Sequence, residues 1–426
     1  MNAFETLYDV KPVFWASIAG TLSRLATYAF LAAVSFYVLA ITGRADLLAL
    51  TLLSGTLPIM LISVVGGHFI DRYNRSFVIL LSIVLRLIVM FLLFVGLVFA
   101  KNLNIVMIIS LACALLSISD SITAIAFNSF VPEHVQLEDL DKVNGASTSI
   151  MELSRISGPF IGVFLFQFYG FNWVIVISAI AYTISTVSVF HIVHGIRIDK
   201  SNDLSDASGS LFLIVKKVFS NIKLVSLLLN GFFTHLSLFP FLMIGIPFLV
   251  VEVFTGQPTE FGIIEFAAAL GTTSSGFFIA KFGGRTLGQK LFKSLLLLAL
   301  IFTLYGALVI PSIFNLAADV TLFRVLILSV GSFLIFAFYG LYASYFGAVI
   351  QSSVELNELG RVFSIVITVN AFGRFTGFLL FGILFQHNWE FAVLAFISVA
   401  WLKVLVHIPF LNSEKLDADF TKRSVT

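Results

Sequence analysis

Gly66–Ser76 reads GGHFIDRYNRS and lies between two long apolar runs, Leu47–Ile70 and Phe77–Ala100. A short segment with an acid and two arginines between such runs reads as a charged hairpin joining two membrane spans. A fainter copy, GFFIAKFGGR at Gly276–Arg285, separates two later apolar runs. Each copy opens on glycine, carries a cation five residues on (Arg72; Lys281) and closes on arginine. The offset of the two glycines, 276 − 67 = 209, is close to half of the 426-residue chain. A charged turn repeated at that distance points to one membrane unit built twice.

Composition fixes the class. The chain is 59% hydrophobic and 11% charged, whereas a soluble domain carries roughly a quarter charged residues. Its mean hydropathy is +1.05, and it repeats apolar runs long enough to cross a hydrocarbon core of about 30 Å. This implies a polytopic helical membrane protein, because helices satisfy their own backbone hydrogen bonds in lipid. Cys113 is the single cysteine, so neither a disulfide framework nor a thiolate metal site is expected. The N-terminal apolar segment after Glu5, Asp9 and Lys11 is too long for a signal peptide and reads as a retained first span.

Twelve spans are expected, near 13–41, 47–70, 76–100, 104–130, 143–169, 172–194, 222–254, 259–280, 288–310, 320–350, 361–386 and 390–410. The polar stretch 195–221 divides an N-terminal six-helix half (1–194) from a C-terminal one (222–426) and reads as a cytoplasmic linker. Its end, Leu211–Ser220, suits a short amphipathic surface helix. With both termini inside, seventeen lysines and arginines from Lys11 to Arg423 fall on the cytoplasmic side, against Arg44 and Lys101 outside. That asymmetry sets the expected orientation. A second internal match, Val135–Phe166 on Val354–Phe385, superimposes Arg155 on Arg374 and Gly158 on Gly377. The fifth and eleventh spans are therefore expected to be equivalent.

With these motifs the chain resembles the major facilitator superfamily over nearly its whole length. Gly67, Asp71, Arg72 and Arg75 match the family's motif A, with Asn74 in place of the usual glycine. The resemblance implies a latch that holds the outward-open state. Gly145, Ser154, Gly158, Pro159 and Gly162 resemble motif C, the antiporter signature, although Ser154 and Val163 stand where glycines are usual. Small residues there let two helices approach closely. The fourth-span arginine of motif B is absent, and Asp120 is the only charge in that span. Val131-Pro132-Glu133, Thr255-Gly256-Gln257-Pro258 and Gly360-Arg361-Val362-Phe363-Ser364 resemble the macrolide-efflux and siderophore-export branch.

Charges inside a bilayer are costly and mark function by default. Arg24, Arg86, Asp120, Glu152 and Arg155 all fall roughly 15–20 Å from the cytoplasmic face at about 1.5 Å per residue. In the family arrangement the first, fourth and fifth spans line the cavity, so Arg24, Asp120, Glu152 and Arg155 are expected to converge. Arg86, on the third span, is left outside that group. Glu152 and Arg155 share a helix face and read as a structural pair, and Asp120 as the titrating group. A purely structural ion-pair knot is the competing reading. The other half offers His235, Glu265 and Arg374, more widely spread, with Asn230 beside them. Arg324 and Lys403 are expected to snorkel or to pair locally. Of 48 phenylalanines, Phe232, Phe233, Phe239 and Phe241 are candidates to line an apolar cavity.

The resulting expectation is an all-α transporter of twelve transmembrane helices in two pseudo-symmetric six-helix halves. It would export an amphipathic small molecule (a drug, a macrolide-like compound or a siderophore) in exchange for protons. A lysophospholipid flippase or a small-solute importer of the same fold is the alternative, and a non-transporting membrane receptor a remote one. No His-Glu-x-x-His or Gly-x-Ser-x-Gly occurs, and Gly283–Lys290 misses a phosphate loop because Gln289 separates Gly288 from Lys290. No enzyme activity, cofactor, metal or nucleic-acid partner is therefore expected. The partners are a small molecule, protons and lipid, and the protein is expected to be a monomer in a bacterial inner membrane with both termini cytoplasmic.

Overall fold

The computed structural model describes residues 3–70, 74–99, 103–136, 139–190, 192–193, 207–279, 286–310, 321–354 and 359–425. Almost all of them are helical. After a short α1 (Ala3–Asp9) come α2 (Lys11–Thr42), α3 (Ala45–Ile70), α4 (Arg75–Phe99), α5 (Leu103–His134), α6 (Leu140–Tyr169) and α7 (Phe171–Phe190). The amphipathic helix expected near residue 211 is α8 (Ala207–Ser220). The second series is α9 (Ile222–Pro240), α10 (Pro258–Ile279), α11 (Leu287–Val309), α12 (Thr321–Ser353), α13 (Leu359–His387) and α14 (Trp389–Val425). Two π-helical turns, Phe241–Gly245 and Leu249–Val253, prolong α9 beyond Pro240, where proline withdraws a backbone donor. Leaving aside α1 and α8, twelve long helices remain among the described residues. Among the described residues, nine helical stretches are long and apolar enough to cross a membrane.

Helix ends follow local chemistry. Gly43, at φ 61°, closes α2 in a left-handed conformation and returns its N–H to Leu39 O at 2.7 Å. The Asn221 side chain caps α9 by accepting from the Lys223 and Leu224 amides, and Thr286 caps α11 through the Gln289 amide.

The chain divides into two compact units, Met1–Asn202 with Pro247–Gly262, and Asp203–Ile246 with Ile263–Thr426. In the first unit α2 packs on α6 and α7, α3 on α5, and α4 on α5 and α7. The stretch 247–262 joins this unit through Phe261 against Phe36 (5.1 Å between centroids) and a Gln167 Nε2–H donated to Gln257 Oε1 at 2.8 Å. In the second unit α9 packs on α13 and α14, and α11 on α12 and α14. First-on-fifth, first-on-sixth, third-on-fourth and third-on-sixth packing thus recur, as a duplicated unit requires.

The faces of individual helices explain where charges go. On α4, Ile79, Ser82, Ile83, Arg86, Val89, Met90 and Leu93 are buried, while Leu81, Ile88, Phe91 and Leu92 are exposed. Arg86 therefore lies on the inner face at helical spacing. The same rhythm on α14 buries Val393, Phe396, Ala400, Lys403, His407 and Phe410 and exposes Phe391, Leu394, Leu402 and Leu405.

Candidate functional site

The Arg86 guanidinium is 1% exposed and spends its donors on two neighbouring helices, α2 and α5. Nε–H donates to Ser119 Oγ at 2.8 Å, Nη1–H to Ser23 Oγ, and Nη2–H to Thr123 Oγ1 at 2.8 Å and Asp120 Oδ1 at 3.2 Å. Ser119 and Thr123 give their own protons to the Ser82 and Ser119 carbonyls, which leaves lone pairs for the cation. The planar fork of arginine suits such a cage, whereas a lysine would offer one point charge. Asp120 differs sharply from its partner: its side chain is 40% exposed. A carboxylate with one oxygen tied to a buried cation and an open side can bind a ligand or exchange a proton.

This centre corrects the expected grouping. Asp120 finds its partner in Arg86, the residue left outside the group, because the inner face of α4 brings that side chain to α5. Arg24, one residue beyond Ser23, is half-buried and has no ion-pair partner among the described residues. Arg155 is half-buried on α6. The side chain of Glu152 lies outside the described residues, and with it the Glu152–Arg155 pair.

In the second unit, Arg374 of α13 and His235 of α9 meet, with Nη2 3.2 Å from Nδ1. Phe239 supports both: the His235 ring stacks on it at 4.5 Å and the guanidinium lies 4.4 Å from its centroid. Arg374 and His235 are thus brought together rather than spread. Glu265 is half-buried on α10. Asn230 is wholly buried, its Nδ2 donating to Ser226 O at 3.1 Å. Lys403 does not snorkel. It is 2% exposed, and its ammonium lies 4.4 Å from the Tyr342 ring centroid. Phe241 is also in the core, stacked on Phe396 at 4.1 Å.

The motif C residues form a seam between α6 and α2. A Cβ on Gly158 would stand 2.7 Å from Tyr28 Cβ and 3.1 Å from the Leu25 carbonyl oxygen, and one on Gly162 would strike the Ala29 backbone. Ser154 is fully buried and donates to Thr21 O at 2.7 Å, a cross-helix bond that glycine would not supply. Pro159 is buried within α6 and leaves the Arg155 carbonyl without its helical donor. Gly145 belongs to the first turns of the same helix. In the second unit Gly377 presses on Leu236 O and Gly373 on Phe232 O. Matched residues therefore perform matched packing in both units.

Of motif A, Gly67 lies near the end of α3, while Asp71 and Arg72 lie outside the described residues. Arg75, at the start of α4, forms an ion pair with Glu133 at the end of α5. The acid of Val131-Pro132-Glu133 thereby joins the charged hairpin.

Comparison with known proteins agrees with this architecture. The chain is 26% identical over 393 residues to Macrolide efflux protein A of Streptococcus pyogenes, covering 88% of this chain and 90% of that protein. In structure it resembles a bacterial homologue of the iron transporter ferroportin in an inward-facing state (TM-score 0.73, 14% identity, 95% of this chain and 98% of that one). It also resembles the nucleoside transporter NupG (TM-score 0.71, 13% identity, 94% and 99%); at such identities these likenesses bear on the fold alone. The Major Facilitator Superfamily model matches residues 16–377. Twelve long helices in two like-packed series, a small-residue seam in each and that match over most of the chain make this protein a member of the Major Facilitator Superfamily, a membrane transporter.

Proposed function

We propose that this transporter exports an amphipathic small molecule of macrolide-like character from a bacterial cell, exchanging it for protons by alternating access between an N-terminal and a C-terminal six-helix half. Both termini and the 195–221 linker face the cytoplasm of the inner membrane, and the protein acts as a monomer. The observation that carries the coupling is Asp120. Its carboxylate is half-open, yet the Arg86 cation beside it keeps three hydroxyl partners whether or not Asp120 is charged. Protonation then removes the counter-charge and one bond from the cage and leaves the buried cation held by its three hydroxyl acceptors. The relatedness to Macrolide efflux protein A supports the direction and the cargo class.

The test is accumulation of a labelled macrolide in a susceptible bacterium expressing the full-length protein, with and without a protonophore. Lower accumulation that the protonophore restores is the expected result. Accumulation equal to that of cells without the protein overturns the cargo assignment, and export indifferent to the protonophore overturns the coupling.

A further inference from the structure

The second unit buries two ionisable groups that the expected site does not include. Lys403 and His407 are one helical turn apart on α14, about 6 Å along the axis, and both belong to its buried face. Among the described residues Lys403 has no carboxylate partner. Its ammonium lies over the face of Tyr342, 4.4 Å from the ring centroid. A desolvated cation–π contact returns about 2 kcal/mol, against several kcal/mol for taking an ammonium out of water. His407 presents the complementary defect. Its Nε2 lies 3.3 Å from Gly288 O, and a carbonyl only accepts, so Nε2 carries the hydrogen. Nδ1 is then the lone-pair nitrogen, and it is buried without a hydrogen-bond partner among the described residues. A donor in excess of acceptors and an acceptor without a donor stand on one face of one helix.

A carboxylate stands at the Gly288 end of the pair. Gly288 lies against the Glu414 carboxylate, two turns beyond His407, and Thr286 Oγ1 donates to Glu414 Oε2 at 2.9 Å. We infer that Lys403 and His407 form a second proton-handling site, inside the C-terminal unit and served from the Glu414 end of α14; this rests on the proton-driven reading above. In the step, Nζ turns from the Tyr342 ring to Nδ1; the Nζ–H bond of Lys403 then breaks as an Nδ1–H bond forms on His407, and the pair keeps one positive charge. The charge leaves when the imidazolium surrenders its Nε2 proton toward Glu414. Other ionisable groups on the elements packed around the pair include Lys223 and His235 of α9, Lys290, Lys293 and Tyr305 of α11, Tyr339, Tyr342 and Tyr345 of α12, and Arg374 and His387 of α13. Lys290 is directed at the Tyr345 ring, 5.9 Å from its centroid.

Full-length protein in proteoliposomes tests this, with a labelled macrolide moved either by an imposed pH gradient or by gradient-free exchange. Lys403→Met and His407→Phe are expected to lose gradient-driven movement by about tenfold or more and to keep exchange. Lys403→Met should melt no lower than wild type, because an apolar chain of similar length replaces an uncompensated charge. Wild-type gradient-driven movement in both variants overturns the inference, as does a much lower melting temperature for Lys403→Met, which marks the ammonium as a structural strut. If the wild type moves no macrolide under either drive, the cargo reading fails separately, and ¹⁵N NMR of histidine-labelled protein judges the pair. A His407 Nδ1 that is bare, gains a proton on acidification and does so at a different pH in Lys403→Met supports it. An Nδ1 whose titration ignores Lys403 overturns it.

Discussion

Arg86 and Asp120 pair at 3.2 Å across α4 and α5, with the cation 1% and the acid 40% exposed. The pair is asymmetric: the arginine is structural cargo of the bundle, and the aspartate is its accessible face. Replacing Arg86 should therefore disturb more than one bond. Arg86→Lys keeps the charge but cannot span Ser23, Ser119, Thr123 and Asp120 together. A loss of about 3 kcal/mol is expected, read as a lower melting temperature of the purified protein. Unchanged melting would mean that the hydroxyl cage adds nothing.

The seam between α2 and α6 gives a second expectation. Gly158→Leu and Gly377→Leu, in their separate units, should each abolish transport or make it leaky, since backbone on the partner helix occupies the required space. Val163 reverses what its place in the motif suggests. Glycine is usual there, yet this valine is fully buried. Val163→Gly should cost about 2 kcal/mol through the void and the loosened helix, measurable by thermal unfolding in detergent.

The charged hairpin should act in the transport cycle and contribute little to stability. Arg75 and Glu133 are 27% and 43% exposed, so Glu133→Gln should change stability by no more than about 1 kcal/mol. Asp71→Asn and Glu133→Gln are both expected to insert normally and to transport poorly. Full export by either variant would remove the latch from the account.

Orientation is checked by reporter fusions. Fusions at Ser205 and at Thr426 should both report the cytoplasm, as the lysine and arginine count requires. A periplasmic signal at either position would invert the topology.

Much of this was legible in the residues. Apolar runs and the 209- and 219-residue internal matches carry the twelve helices and their duplication, because hydrocarbon leaves the backbone little alternative to helix. The resemblance to motif C points to Gly158, and the 219-residue match carries the reading to Gly377. The family arrangement leaves Arg86 outside the cavity group, whereas its own helix face places it: Ser82, Arg86, Val89 and Leu93 recur at inward spacing, and the side chain meets Asp120. Of the two expectations for Lys403, snorkelling or local pairing, its helix face excludes the first, because Phe396, Ala400, Lys403 and His407 share one buried face. The meeting of His235 with Arg374 was not legible, since neither residue carries information about the relative rotation of α9 and α13.

The central claim is that Asp120 couples protons to cargo. Its most direct test is substrate-induced proton movement in proteoliposomes, measured beside macrolide binding, for wild type and Asp120→Asn. The account expects Asp120→Asn to bind macrolide but to move no protons with it. Wild-type proton movement in Asp120→Asn would contradict it and shift the coupling to other ionisable groups.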